Sequence, residues 1–284
     1  MRVTRAGRAL VSAALVTAAA LTGTSCTASS AGRPAARPTA TSASTAASLA
    51  ALRAAQRATD GAASARVRST TAMGGQLSLR ADGALRWRGH LTGALTITYT
   101  GGATAEQMRA LGVTSMQARY LPDAYYARLG DAFARRAGGR HWIRYAYDDL
   151  DALDGAAGAG FAEQVRNTTP GQSVKLLLES DDVRRAGTDT VAGRRTTHYT
   201  GTVEVADVSD AELRGQLTRA GVTGGTVDVW VDGRDLLVKK VEKGRTTSGG
   251  YTQTAYYSDY GTQVAVTAPP AGDTADFTEL APQS

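Results

Sequence analysis

Residues 226–241 read TVDVWVDGRDLLVKKV, and the fold follows from how this stretch alternates. Val227, Val229 and Val231 take turns with Asp228, Trp230 and Asp232. A period of two puts the three valines on one face of a β-strand. Charged groups avoid an apolar interior, so the valine face is the inward one. Asp232-Gly233 then turns the chain into a second run, Asp235 to Val241. Asp-Gly between two such runs marks a hairpin.

The same period extends outward in both directions. In RRTTHYTGTVEV (194–205), Tyr199, Gly201, Val203 and Val205 share a face. Residues 65–71, 91–100, 114–120, 124–129, 141–147, 252–257 and 263–267 read as further strands, and strands resume at Val183 after the middle of the chain. Residues 76–80 and 84–88 flank Asp82-Gly83 and read as another hairpin. Helical stretches are fewer and grouped. One spans 49–59 and ends at Asp60-Gly61, and a short one at 103–111 is closed by Gly112. The middle holds helical pieces in 148–167, broken at 155–160, and a helix at 170–180. The last, 209–220, has Ser209 as N-cap and Glu212 three places on, a capping-box pattern.

About eleven strands with segregated helices predict the α+β class, one large curled antiparallel sheet packed by helices on one face. A sheet of that size must curl or split. Curling makes a concave apolar face, and helices that fill it partly leave a cavity. The sheet is expected to offer Trp142, Tyr199, Val203, Val229 and Val231 to that cavity. The middle helices are expected to cover it with Leu150, Leu153, Phe161, Leu177 and Leu178.

The amino terminus carries an address. Arg2, Arg5 and Arg8 precede an uncharged, mostly apolar run from Ala9 to Leu21. At 13 residues it is shorter than the roughly 20 a membrane-spanning helix needs, and its flanks fit a signal peptide. Gly23, Thr24 and Ser25 are small residues directly before Cys26, the only cysteine. This resembles a bacterial lipoprotein signal, with Gly23 where such signals carry leucine. It implies cleavage before Cys26 and lipidation of its thiol. Ordinary secretion, with cleavage after a residue such as Ala20, would instead leave a lone exported thiol.

The expected organisation is a signal peptide at 1–25 and a lipid anchor with a flexible linker at 26–48. A ligand-binding domain follows at 49–280, then a tail at 281–284. Residues 27–48 contain no aromatic residue and no Val, Ile or Leu, too little apolar surface to offset the entropy of ordering. The expected location is the extracytoplasmic face of the cell membrane. Loss of residues 1–25 lowers the formal charge from +6 to +3. The basic pairs Arg135/Arg136, Arg184/Arg185, Arg194/Arg195 and Lys239/Lys240 are scattered, unlike the concentrated stripe of a nucleic-acid protein.

No catalytic constellation is legible. His90, His141 and His198 are not at metal-ligand spacing, and one cysteine makes no zinc knuckle. There is no G-x-S-x-G elbow, S-x-x-K box or P-loop. The run 155–160, GAAGAG, lacks a following lysine. Asp148, Asp149, Asp151 and Asp154 suit a helix N-terminus better than a calcium loop. No enzyme activity, cofactor or metal is expected.

Four segments together resemble a known family: HWIR (141–144), VAGRRTTHYTGTVEV (191–205), VDVWVDGRDLLVKKV (227–241) and YSDYGTQVAVTAPP (257–270). They resemble the actinobacterial envelope lipoproteins of the LppX/LprAFG family, whose fold is similar to the Lol-type carriers. The resemblance spans 49–280. It implies a half-barrel of antiparallel strands clasping helices around a hydrophobic cavity. It also implies a lipid ligand and movement of that lipid through the envelope, with an unidentified envelope transporter as a further partner. The competing reading is an interaction or sensor module on the same fold, with the concave face filled.

Overall fold

A computed structural model describes residues 40–152, 169–247 and 249–280. The chain forms one twelve-stranded sheet. Its strands are β1 (Ser64–Met73), β2 (Leu77–Arg86), β3 (Thr92–Gly101), β4 (Ser115–Tyr120), β5 (Ala124–Arg128) and β6 (Trp142–Ala146). They continue with β7 (Arg184–Val191), β8 (Arg194–Glu204), β9 (Val222–Asp232), β10 (Leu237–Thr246), β11 (Gly249–Ser258) and β12 (Thr274–Asp276). The order across the sheet is β12-β6-β5-β4-β3-β2-β1-β11-β10-β9-β8-β7. Every pairing is antiparallel except β12 on β6. The sheet curls without closing, so β12 and β7 remain as edges.

The helices are α1 (Ala40–Ala62), α2 (Ala103–Ala110), α3 (Asp131–Ala134), α4 (Tyr147–Ala152), α5 (Pro170–Leu178), α6 (Ala211–Arg219) and α7 (Phe277–Leu280). None among the described residues is long and apolar enough to cross a membrane. The helix expected at 49–59 begins nine residues earlier, at Ala40. Ser48, Leu52, Ala55 and Thr59 are buried, and their spacing of three and four residues makes a single helical stripe. Small residues with no core-forming side chain thus continue upstream as helix.

Three local expectations are corrected. Asp82-Gly83 is not a turn: β2 runs through it, paired with β1 and β3 along its length. Gly83 lies between Val67 and Leu95, and a Cβ there would collide with the Ala94 carbonyl. The glycine serves close strand approach, while Asp82 points outward and accepts a hydrogen bond from Arg68 at 3.0 Å. The cap of α6 is Asp210, whose carboxylate accepts from the Leu213 N–H at 2.9 Å; Ser209 donates to Glu179 instead. Residues 263–267 are not a strand. The sheet is completed by β12, set beside β6 by ion pairs from Arg144 to Asp276 at 3.0 Å and from His141 to Asp273 at 2.6 Å.

Register assigns each side chain to a face. Val203, Val227, Val229 and Val231 point to the concave side with Tyr199. Trp230 points to the convex side. There His198 stacks on it at 4.2 Å, and the Asp228 carboxylate accepts a hydrogen bond from its Nε2 at 2.8 Å.

Candidate functional site

The concave face has two apolar halves. The first lies on β8–β11 and β1. Val203, Val229, Leu237, Ala255 and Val67 rise from the sheet, Leu52 and Ala55 come down from α1, and Val174 and Leu177 come from α5. Pro170 starts α5, where its missing N–H costs no bond. Leu52, Val174, Leu177, Val229 and Leu237 have no exposed surface. A β-bulge between Leu237 and Lys239 leaves the Leu237 N–H free of the ladder, and Thr59 Oγ1 accepts it at 3.1 Å.

The second half lies on β2–β6 and is aromatic. Tyr125 and Tyr147 pack with Leu150 of α4 against Ala81, Ile97, Ala118 and Ala127, with Tyr120 and Tyr145 at the margin. Ring centroids are 5.2 Å apart for Tyr120 and Tyr125 and 5.8 Å for Tyr125 and Tyr145. The rings are tilted against one another, by 57° for Tyr120 and Tyr125 and 43° for Tyr125 and Tyr145, and the small alanines beneath leave room for them. Burial pushes the phenol pKa of Tyr120, Tyr125, Tyr145 and Tyr99 above 10. Leu95 and Tyr120 touch both halves.

Within the first half, on the inward side of β10, β11 and β1, runs a polar seam. Lys240 Nζ donates to Glu242 Oε1 at 3.0 Å, and Ser173 of α5 donates to the same oxygen at 2.6 Å. Gln253 donates to Thr71 at 3.4 Å in line with them. Burial alone would lower the Lys240 ammonium pKa, but the adjacent Glu242 carboxylate outweighs it and the net shift is upward. Burial alone would raise Glu242, and Lys240 and Ser173 hold it below the usual range. Tyr251, beside the pair, is pushed up to about 12 by burial and then by Glu242.

A shallow, half-open crevice with an enclosed volume of about 20 Å³ enters the first half between α5, α6 and the sheet. Leu176, Val203, Leu217, Val222, Val227 and Tyr251 line it, over a floor at Gly224 and Gly225. Gly244 is needed beside it, because a Cβ there would collide with the Tyr251 ring. The arrangement offers apolar surface with a few polar groups at its border, the composition of a binding site. Among the described residues no group of three or more His, Cys, Asp or Glu is placed to hold a metal.

Leu177, Tyr199, Val203, Val229 and Val231 therefore come together in the first half, with Leu178 half-buried against them. Leu150 lies in the second half. Trp142 is not in the concave space: it packs with Ala124 and Tyr126 on the other face of the sheet, with the Arg119 guanidinium 4.5 Å from its ring. Cys26, Leu153 and Phe161 lie outside the described residues. The seam was not read from the sequence. In VKKVEK (238–243) alternation makes Val241 the natural inward residue, but the bulge after Leu237 reverses the faces and turns Lys240 and Glu242 inward.

No protein-family model matches the chain. A candidate lipoprotein of Streptomyces coelicolor is 63% identical over 222 residues, which cover 78% of this chain and 72% of that protein. An uncharacterized 31.2 kDa protein of Streptomyces griseus, from the rplA–rplJ intergenic region, is 50% identical over 236 residues, covering 79% and 77%. The lipoprotein LppX of Mycobacterium tuberculosis superposes with a TM-score of 0.50 at 21% identity, covering 78% of this chain and 99% of LppX, a likeness of fold. The chain belongs to the family of the two Streptomyces proteins, an actinobacterial lipoprotein family with the LppX fold.

Proposed function

We propose that the protein is a membrane-anchored extracytoplasmic lipoprotein that holds the apolar part of a lipid or other amphiphile on its concave face. The anchor is a lipidated Cys26, exposed by removal of residues 1–25, and the residues between it and α1 connect it to the domain. The observation that carries the reading is the crevice over Gly224 and Gly225. It is aliphatic, half-open and bordered by Tyr251, which adjoins the Lys240–Glu242 seam. The aliphatic lining matches an acyl chain in chemistry, the crevice having to widen to admit one, and hydroxyl and charged groups at the border suit a polar head. Val203 is the contact on the sheet, with Tyr199, Val229, Val231 and Leu177 as the packed floor behind it. Leu150 and Leu178 extend the contact toward the aromatic half, and Leu153 and Phe161 are further proposed ligand contacts. Passage of the lipid through the envelope is the role such binding would serve. No catalytic step is assigned.

The size of the crevice favours a second reading. Small-molecule sites commonly occupy roughly 300–1,000 Å³, and the crevice, with an enclosed volume of about 20 Å³, falls far below that. A filled concave face would suit an interaction or sensor module.

Displacement of a fluorescent acyl probe, run beside thermal unfolding, separates the two. Leu217→Trp narrows the crevice from its half-buried place on α6 and is expected to weaken probe binding with little change in stability. Val229→Trp overpacks a site with no free surface and should cost about 1–3 kcal/mol in stability. A wild-type protein that never binds the probe contradicts lipid binding and leaves the interaction module.

A further inference from the structure

The convex face is unlike the concave one. Where β10, β11, β1 and β2 lie side by side, the outward positions form rows across the strands. One row is Lys239, Tyr256, Arg68 and Asp82; the next holds Thr254, Thr70 and Arg80. Lys243 and Arg66 flank them along β10 and β1. Neighbouring strands are about 4.8 Å apart, and alternate residues about 7 Å along a strand. Five cations therefore crowd one small area. Arg68 pairs with Asp82 at 3.0 Å and Arg66 with Asp259 at 3.5 Å, yet both guanidiniums stay well exposed, 71% and 64%. Among the described residues, Arg80, Lys239 and Lys243 have no acidic partner within ion-pair distance.

Lys239 lies 4.0 Å over the Trp230 ring and 5.7 Å from the Tyr256 ring. Tyr256 is 41% exposed, one of the few large apolar side chains at the surface. An exposed tyrosine among cations and threonines has the composition of a membrane–water interface, where rings sit at headgroup level and cations meet phosphates.

We propose that this convex face docks on an anionic phospholipid surface, with Arg80, Lys239 and Lys243 as the phosphate contacts and Tyr256 as the interfacial ring. Docked this way, the concave face opens away from that surface. The proposal stands apart from what the concave face binds.

The test reconstitutes the full chain, purified from its host, into vesicles of phosphatidylcholine alone or mixed with phosphatidylglycerol. Hydroxyl-radical footprinting of Tyr256 reads the ratio of docked to free protein. Tyr256 should be protected on the anionic vesicles only, and protection should fade as salt rises. Arg80→Gln and Lys243→Gln should each lower the ratio about fivefold. Asp82→Asn should raise it, and Arg57→Gln, on α1, should leave it unchanged. Thermal unfolding of each variant confirms that the sheet is intact. Equal labelling of Tyr256 on both vesicle types, or an Asp82→Asn variant that docks no better than wild type, would overturn the proposal.

Discussion

The two halves of the concave face share one sheet and are built on opposite plans. Over β8–β11 the packing is aliphatic, clamped by α1 and α5, and several of its side chains have no exposed surface. Over β2–β6 it is made of tyrosine rings on alanines, covered by α4, and Tyr99, Tyr120 and Tyr145 keep part of their surface. An aliphatic side chain with no free surface contributes stability. A half-buried tyrosine contributes less, but it presents both a ring and a hydroxyl to whatever lies over it. The difference teaches that one half holds the sheet in its curl through buried aliphatic packing, while the other keeps half-buried rings and hydroxyls at its surface.

The comparison breaks first at Leu177. Leu177→Ala should cost about 2–5 kcal/mol, because the residue sits among fixed neighbours that cannot collapse into the space. In the aromatic half, Tyr99→Phe should cost about 1 kcal/mol or less, since its hydroxyl meets only the Met116 sulfur at 3.5 Å. Chemical denaturation of both variants gives the two numbers. Equal losses would erase the distinction between a structural and an adaptable half.

A smaller effect concerns pH. Tyr99, Tyr120, Tyr125 and Tyr145 have folded pKa values above 10, whereas the unfolded chain titrates near 10. Their contribution is fully present below pH 10 and is lost as pH rises through the folded values. The melting temperature should therefore be insensitive to these groups up to about pH 10 and fall beyond it. Tyr120→Phe and Tyr125→Phe should make the alkaline fall shallower. An unchanged slope in both would show that the rings are more hydrated than their packing indicates.

Much of this fold was legible because period two is a strong signal when one face is buried. The inward valines of β9 and the inward Tyr199 and Val203 of β8 follow from alternation alone. What failed was local chemistry overridden by neighbours. Asp82-Gly83 has turn composition, yet Gly83 is required by the close approach of β1 and β3. Ser209 has capping chemistry, but Glu179 takes its hydroxyl and Asp210 caps α6. Three-residue β12 carries no periodic signal, and its place beside β6 is set by ion pairs between residues more than 130 apart in sequence. The candidate site was legible in its aliphatic part only. Tyr125 and Tyr126 are adjacent and both buried on opposite faces, so composition could not say which belongs to the concave space. Trp142 was misassigned for the same reason. The inward Lys240 and Glu242 depend on a single bulge.

The central claim is that an amphiphile occupies the concave face, and native mass spectrometry of the full protein purified from its own host tests it most directly. The account predicts a species heavier than the processed chain by one lipid, released on mild activation and diminished in Leu217→Trp. Only the ligand-free mass, from wild-type protein extracted under conditions that preserve lipid complexes, would contradict it.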